Sequence, residues 1–235
     1  MTQKIRIATY NIHTGIGMDG AFDIERIINV LEEIQPDIVA IQEVSTDPSI
    51  CHGINPVASL QKHFGPYISA AASLIGSRGN HYGNLLLSRY PITKSSSADL
   101  SSHNREPRNI IDVDINIKDK MLRVITTHMG LAYSERQTQT QKLIPLLNGN
   151  PDRYTILLGD MNEWLYGSPT LKLIDKHLYS PNSPASFMAR LPIFSLDRIW
   201  GRPASIFSGK VKAHRSRLSR QASDHLPVYA DILIG

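Results

Sequence analysis

The sequence is poor in the features that mark secreted, disulfide-bonded or membrane proteins. It has a single cysteine, Cys51, which excludes an intrachain disulfide and any multi-thiolate metal site. No apolar run approaches the ~18 residues that a membrane-spanning helix needs. The first residues are polar and alternating, unlike the apolar segment of a signal peptide. We therefore expect a cytoplasmic protein without a transmembrane segment.

The 235 residues also lack internal repeats, Pro- or Gly/Ser-rich linkers and blocks of one charge. This uniformity favours a single domain over residues 1–235, which we expect to be a monomer. The formal net charge is only +4, with a pI near 9.2. Such a mild excess suits an anionic substrate but does not require a nucleic-acid partner.

Hydrophobic periodicity predicts a layered α/β or α+β fold. Apolar residues spaced as on one helical face predict a helix over 23–34, capped by Asp23. A second helix is predicted over 134–148, because Ser134 and Gln137 have capping-box spacing, and Pro145 should bend or shorten it. Strands are predicted near 4–12, 36–43, 82–88, 108–117, 121–128, 154–159, 195–200 and 226–233. Residues 118–120 should connect two of these strands as a hairpin.

Several predicted strands end in a side chain that can bind metal or phosphate. Asn11, Glu43, His128 and Asp160 each follow an apolar run. Strand ends gather at sheet edges, so these groups can converge on one cleft. Carboxylate and amide oxygens favour Mg²⁺ or Mn²⁺ over zinc as the cofactor.

Two further motifs carry groups suited to phosphoester hydrolysis. Asp160 and Asn162 lie two residues apart after Gly159, so in an extended segment they project to the same side. The carboxylate can orient or deprotonate a water, and the amide can donate to a phosphate oxygen. Near the C-terminus, Asp224 precedes His225, a candidate base or stabiliser whose tautomer Asp197 can fix.

Each of these residues also has a purely structural interpretation. Asn11 can be a turn residue, Asp160 with Asn162 an Asx-turn, and Asp224 a cap. A lone His128 is more often a hydrogen-bonded core residue than a catalyst. Only the whole set indicates a catalytic site.

The motifs together resemble those of the endonuclease/exonuclease/phosphatase superfamily, in the order of that family and from about Ile5 to Ile234. The motifs that carry the resemblance are Ala8–His13, Ile41–Val44, Gly83–Arg89, Thr127–Leu131, Gly159–Glu163, Leu196–Ile199 and Ser223–Pro227. The segment Pro184–Phe187 is similar to a small bacterial metal-hydrolase branch. The resemblance implies a four-layer sandwich of two central mixed β-sheets flanked by helices, with the active site at one end of the sheets.

The resemblance also implies roles for the candidate residues. Glu43 would be the main metal ligand, with Asn11 beside it and Asp224 as a further ligand. Asp160 would orient the attacking water, Asn162 would hold phosphate, and His128 would contact phosphate or assist the leaving group. The pair of His225 and Asp197 would serve as base or transition-state stabiliser. Water would attack phosphorus in line while the metal neutralises charge.

Other candidates rest on parts of the pattern. The loop Ser102–Arg108 resembles the Arg-Glu-Pro loop of secreted deoxyribonucleases, which makes Arg105 and Arg108 candidate phosphate ligands. Asn84 is a third candidate. The chain has His13 where apurinic-site endonucleases have an aspartate, which argues against a second metal site of that type. Tyr82 is the nearest match to their active-site tyrosine.

The motifs do not name the substrate, because this fold serves many phosphate esters. The first hypothesis is a Mg²⁺-dependent phosphodiesterase or nuclease acting on DNA or a phospholipid-type diester. The second is a phosphomonoesterase for inositol or lipid head-group phosphates. A noncatalytic binding module is disfavoured by the intact Asp160, Asn162, Asp224 and His225. A basic stretch over 210–220 can contact a polyanion or be a solvated surface, and it lacks the aromatic residues of single-strand recognition.

Overall fold

The computed structural model describes residues 2–64, 69–77, 80–102, 105–148 and 152–235. The strands are β1 (Gln3–Asn11), β2 (Ile38–Ser45), β3 (Ser69–Ser77), β4 (Asn80–Ser88), β5 (Ile92–Asp99), β6 (Asn109–Ile117), β7 (Lys120–His128), β8 (Tyr154–Asp160), β9 (Asp197–Arg202), β10 (Lys212–Ala213) and β11 (Val228–Ile234). The helices are α1 (Ile24–Ile34), α2 (Pro48–Cys51), α3 (Pro56–Phe64), α4 (Tyr133–Leu147), α5 (Pro169–Asp175) and α6 (Ser219–Ala222), with short 3-10 turns at His13–Gly15 and Ala204–Ile206.

The first strand, helix and strand follow the sequence prediction closely. The Asp23 side chain accepts the Arg26 amide and caps α1, which ends at Gln35 in a left-handed conformation. The apolar face of α1 is buried. Strands β1 and β2 then pair in parallel, so both end at the same edge of their sheet. The predicted helix over 23–34 is confirmed.

The strands form two sheets. A six-stranded sheet has the order β10-β11-β1-β2-β4-β3, and a five-stranded sheet has the order β5-β6-β7-β8-β9. Both contain parallel and antiparallel pairs, as predicted for mixed sheets. The predicted hairpin is β6–β7, with Lys118 and Asp119 at positive φ of 48° and 70° in a tight two-residue turn.

Alternation along the strands produces four layers. In β1, Ile5 and Ile7 pack between the two sheets, whereas Ala8 and Tyr10 pack under α1 on the outer face. On the far side, a third apolar cluster joins the outer face of the five-stranded sheet to α4 and α5. The predicted four-layer sandwich is confirmed, with each sheet buried on both faces.

One detail of the second helix differs from the prediction. Helix α4 begins at Tyr133, and its N-cap, Ala132, makes no side-chain capping hydrogen bond. Ser134 lies inside the first turn, where its carbonyl accepts the Thr138 hydroxyl, so it does not cap the helix. Pro145 lies within α4, which nevertheless continues to Leu147. Among the described residues, the helices are all too short or too polar to cross a bilayer.

The topology brings the strand-end residues together. Asn11 at the end of β1 pairs with Gln42 of β2, next to Glu43, while His128 and Asp160 pair at the ends of the parallel strands β7 and β8. Strand β9 runs antiparallel to β8, so its first residue, Asp197, lies opposite Asp160. The same end of the sandwich therefore collects side chains from both sheets.

Candidate active site

Glu43 lies in an irregular part of β2. The register with β4 shifts between Ile41 and Val44, and Glu43 has a left-handed φ of 58°. A bulge of this kind takes a residue out of the regular ladder and changes the direction of its side chain. The Glu43 side chain is 20% exposed and lines a cavity of about 230 Å³.

Asn11 connects Glu43 to Asp160. Its Nδ2 donates to Glu43 Oε1 at 2.8 Å and to Asp160 Oδ2 at 3.0 Å. Its Oδ1 accepts the backbone N–H of His13 at 3.0 Å, which fixes the orientation of the amide. In this arrangement the Asn11 amide presents donor hydrogens to the two carboxylates, and its oxygen accepts the His13 N–H.

Asp160 uses its two carboxylate oxygens differently. Oδ1 accepts the backbone N–H of Asn162 at 2.8 Å, which is the Asx-turn of the structural interpretation. Oδ2 lies 3.5 Å from Nε2 of His128 and 3.7 Å from Nε2 of His225. The turn therefore leaves one oxygen of this buried carboxylate facing two imidazoles.

Asn162 holds His128. Both hydrogens of its amide are used, because Nδ2 donates to His128 Nε2 at 3.0 Å and to the Met129 carbonyl at 2.8 Å. Asn162 itself has a positive φ of 48°. Burial lowers the pKa of His128 well below its usual value, and the positive charges of Arg108 and His225 lower it further. His128 is consequently a neutral imidazole whose Nε2 accepts from Asn162.

His225 and Asp197 form a buried dyad. Nδ1 of His225 lies 2.8 Å from Oδ2 of Asp197, and the Ser186 hydroxyl donates to the same oxygen at 2.6 Å. The Phe187 ring lies against the imidazole, with 4.8 Å between centroids. Burial alone would lower the pKa of His225, but Asp197 and Asp160 outweigh it and raise the pKa to about 10.

The Asp160 carboxyl is buried and has a raised pKa. Burial raises its pKa to about 6, against the opposing effects of His225 and the Asn11 hydrogen bond. At neutral pH, the cluster therefore combines a cationic His225, a neutral His128 and a carboxylate that can accept a proton.

Arg108 lines the cavity, and two nitrogens of its guanidinium group are not used as hydrogen-bond donors within the described part of the chain. It is only 4% exposed, and Nη2 pairs with Glu106 at 2.8 Å. Its Nε and Nη1 have no hydrogen-bond partner among the described residues. Tyr82 lines the same cavity, and burial followed by the charge of Glu43 raises its pKa. A buried guanidinium with two free donors is suited to bind an oxyanion.

The remaining predicted residues lie at different distances from this centre. Asp224 lines the cavity, and its carboxylate adds to the raised pKa of Glu43, which is mainly caused by burial. Asn84 is buried outside the cavity lining and donates to Asn109 Oδ1 at 2.8 Å. Arg105 is exposed, and its loop neighbours His103 and Asn104 lie outside the described residues.

The basic stretch also lies outside the cavity lining. His214 pairs with Glu33 at 2.6 Å, and Arg220 donates to the Arg190 carbonyl at 2.8 Å. Lys212 and Arg217 are exposed. Part of the basic stretch is therefore occupied by contacts within the protein.

Sequence reasoning missed the apolar part of the cavity. Trp164, at 38% exposed, lines it and contacts the rings of Phe187 and Phe194 edge-on. Leu131, at 65% exposed, lies at the same cavity. Leu131 is the last residue of the His128 motif, three residues after His128, and Trp164 comes four residues after Asp160; this proximity was the signal that the sequence offered.

Comparisons with known proteins agree with the fold. The chain is 28% identical to the uncharacterized protein YbhP of Escherichia coli K12, with 97% of this chain and 96% of that protein covered. A Beutenbergia cavernae endonuclease/exonuclease/phosphatase structure superposes with a TM-score of 0.75 at 22% identity, covering 99% of this chain and 72% of the other. A mannosyl-6-phosphatase of Bacteroides thetaiotaomicron superposes with a TM-score of 0.70 at 17% identity, covering 98% and 100%.

A model of the Endonuclease/Exonuclease/phosphatase family matches residues 8–225, from Ala8 within β1 to His225. The match thus spans nearly all of the chain and every strand end described above. The chain belongs to the endonuclease/exonuclease/phosphatase family, whose members typically hydrolyse phosphoesters.

Proposed function

We propose that this protein is a divalent-metal-dependent phosphodiesterase in which water attacks phosphorus opposite the leaving oxygen. The observation that carries the proposal is the position of Asp160 Oδ2, which lies within 3.7 Å of both imidazole Nε2 atoms and accepts from Asn11. The same cavity contains the unpartnered donors of Arg108. A proton acceptor and an oxyanion site therefore share one small space.

The residues present fit a metal ion. Glu43 is a partly buried carboxylate that lines the cavity together with Asp224, and desolvation, followed by the charge of Asp224, raises its pKa. Hard oxygen donors of this kind suit Mg²⁺ or Mn²⁺. Glu43 and Asp224 would hold the ion, which supplies Lewis-acid neutralisation of charge on the phosphate. Asn11 keeps the Glu43 carboxylate in place.

A second cluster of possible metal ligands, Asp160, Asp197 and His225, is less suitable for the ion. Ligand atoms of Asp160, Asp197 and His225 lie within 4.8 Å of one another. The His225 ring is, however, hydrogen-bonded to Asp197 and has a pKa raised to about 10, so it is an imidazolium without a free lone pair. We therefore assign the ion to Glu43 and Asp224.

The proposed chemistry uses the charges of the site directly. Asp160 takes a proton from the attacking water, whose oxygen forms the new bond to phosphorus as the bond to the leaving oxygen breaks. The His225 imidazolium, held by Asp197, stabilises negative charge on the phosphate oxygens in the transition state. Neutral His128 accepts from Asn162 through Nε2 and lines the cavity, and Arg108 binds the phosphate through Nε and Nη1. The leaving oxygen takes a proton from solvent.

The lining and the volume of the cavity indicate which kind of phosphate ester it can hold. Trp164 and Leu131 provide apolar surface beside the polar cluster, which an organic group on the phosphate can cover. A diester carries two such groups, and this favours a diester as substrate. The cavity volume of about 230 Å³ favours a second candidate, a phosphomonoesterase for a small phosphorylated molecule.

The test is a substrate panel with a metal dependence. Bis-p-nitrophenyl phosphate, p-nitrophenyl phosphate, plasmid DNA and an inositol phosphate are each assayed with Mg²⁺, with Mn²⁺ and with EDTA. We expect metal-dependent turnover that is fastest on a diester, and loss of turnover in Glu43→Gln and His225→Ala. The matched control is His63→Ala, a histidine paired with Glu32 outside the cavity. Turnover in EDTA, or full activity of His225→Ala, would contradict the mechanism, and preference for the monoesters would select the second candidate.

A further inference from the structure

A second cavity, of about 290 Å³, lies on the outer side of the five-stranded sheet, beside α5 and the loop 180–183. It shares no lining residue with the active-site cavity. Arg198 of β9 lines it, next in sequence to the dyad residue Asp197. Since successive side chains of a strand point to opposite faces, Arg198 belongs to the outer face.

Arg198 is a buried cation that forms no ion pair within the described part of the chain. It is 6% exposed, and its Nε has no hydrogen-bond partner among the described residues. The carboxylates that influence it most are Asp175 and Glu163. Each also has another partner, because Asp175 Oδ1 accepts Trp200 Nε1 at 2.8 Å and Glu163 pairs with Arg136 at 3.3 Å. Burying a guanidinium in this way is costly unless an anion joins it.

A second unpartnered group lines the same cavity. The Ser183 Oγ is buried and has no hydrogen-bond partner within the described ranges. Lys172 and Asn182 lie at the cavity as well, so the available donors are a guanidinium, an ammonium, a hydroxyl and an amide. Asp175 is the carboxylate in this lining. Arg198 therefore resembles Arg108 of the active-site cavity, which is also a buried arginine with unused hydrogen-bond donors.

We propose that this second cavity binds a phosphate group, with Arg198, Lys172 and Ser183 as its ligands. The fork of an arginine matches phosphate oxygens, and lysine and serine add charge and a further donor. The cavity is near the lower limit of the ~300–1,000 Å³ that small-molecule sites occupy, which leaves room for an organic group on the phosphate. The ligand is free phosphate or the phosphate of a small phosphorylated molecule.

The site can be measured separately from the active site. Inorganic phosphate is titrated by calorimetry in EDTA into Arg108→Met, in which phosphate binding at the active-site cavity is weakened. We expect saturable binding of one phosphate per chain. Adding Arg198→Met should weaken that binding ~10- to 100-fold, the loss expected for a charged hydrogen-bonding partner. Lys172→Gln and Ser183→Ala should weaken it less.

The chain offers a matched control and an optical readout. Arg202→Met removes another arginine of β9 with an unpartnered Nε, but one outside the lining of this cavity, and should leave phosphate binding unchanged. In Trp164→Phe, the remaining tryptophan is Trp200, which contacts the cavity residue Asp175, so its fluorescence should change with phosphate.

Two comparisons complete the test. Tighter binding of glycerol phosphate than of inorganic phosphate identifies a phosphorylated molecule as ligand, and equal affinity identifies free phosphate. No saturable binding to Arg108→Met, unchanged affinity in the added Arg198→Met, or tighter binding of acetate than of phosphate would overturn the proposal. The outcome is independent of catalysis, because no turnover is measured.

Discussion

His225 Nδ1 lies 2.8 Å from Asp197 Oδ2, in a position where the imidazole ring is also covered by Phe187. The contact holds the ring and directs Nε2 towards Asp160, 3.7 Å away. We expect Asp197→Asn to lower kcat on bis-p-nitrophenyl phosphate by ~10²- to 10⁴-fold, the range for losing a positioned acid–base group. Asp119→Asn, in the exposed β6–β7 turn, is the control and should retain wild-type kcat. A kcat of Asp197→Asn within twofold of wild type would exclude this role.

Arg108 and Arg105 lie on the same loop and differ in burial, so they form a matched pair. Arg108→Met removes the unpartnered donors of the cavity, and kcat/KM should fall ~10- to 100-fold. Arg105 is exposed, and Arg105→Met should have a smaller effect because solvent screens its charge. Steady-state kinetics on one diester at fixed ionic strength measures both. A larger loss of kcat/KM in Arg105→Met than in Arg108→Met would indicate that the phosphate binds to Arg105 and contradict the role of Arg108.

Gly159 of β8 lies where the backbones of β8 and β7 come close together. Its φ is 148°, and a Cβ at this position would lie 1.9 Å from the Thr127 carbonyl oxygen of the neighbouring strand. Gly159→Ala should therefore lower the free energy of unfolding by about 3 kcal/mol, as overpacking does. Gly209→Ala, with nothing within 4 Å of the added Cβ, is the control. Urea denaturation followed by circular dichroism gives the free energy of unfolding of both variants. Equal midpoint urea concentrations for Gly159→Ala and Gly209→Ala would contradict the close contact between Gly159 and the Thr127 carbonyl.

Asp231 should make stability depend on pH. Hydrogen bonds from Arg6 and Lys4 lower the pKa of its carboxyl to about 2. A lowered pKa in the folded state means that the contribution is present above the unfolded value of ~4 and is lost as the pH falls towards 2. Asp231→Asn should be less stable than wild type by about 1 kcal/mol at pH 6. Urea denaturation at several pH values should show the difference disappearing near pH 2, and a constant difference would contradict the assignment.

The fold was predictable where strands are buried on both faces. Strand β8 and strand β2 consist largely of apolar residues and were placed within a few residues of their observed bounds. The sequence prediction omitted β3 and β5, which are the last strands of their respective sheets. Their sequences are rich in serine and alanine, and β5 is largely exposed. An edge strand can form by pairing alone, without the apolar alternation that identifies a strand in the sequence.

The site was predictable as a set of residues but not as a set of contacts. The position of Glu43 in a bulge and the use of both Asn162 amide hydrogens depend on backbone conformations that no spacing reveals. The partners of Asp197 show the same limit. Ser186 donates to its carboxylate from a loop that the sequence marks only as a family feature. Contacts between residues far apart in the sequence decide which hydrogen-bond donors and acceptors of the site are already used. The groups that remain determine the chemical role each residue can have.

The pairing of the first strand with the last has a consequence for synthesis on the ribosome. Thr9 of β1 pairs with Val228 of β11, and the Ser223 hydroxyl donates to the Asn11 carbonyl at 2.8 Å. During translation, β1 can pair with β2 early, while its other edge has no partner until β11 emerges. That edge is a site for chaperone contact or misassociation in the growing chain. A growing chain also lacks the His225–Asp197 pair until residue 225 has been made, so the candidate active site is completed only after strands β1 to β10 have been synthesised.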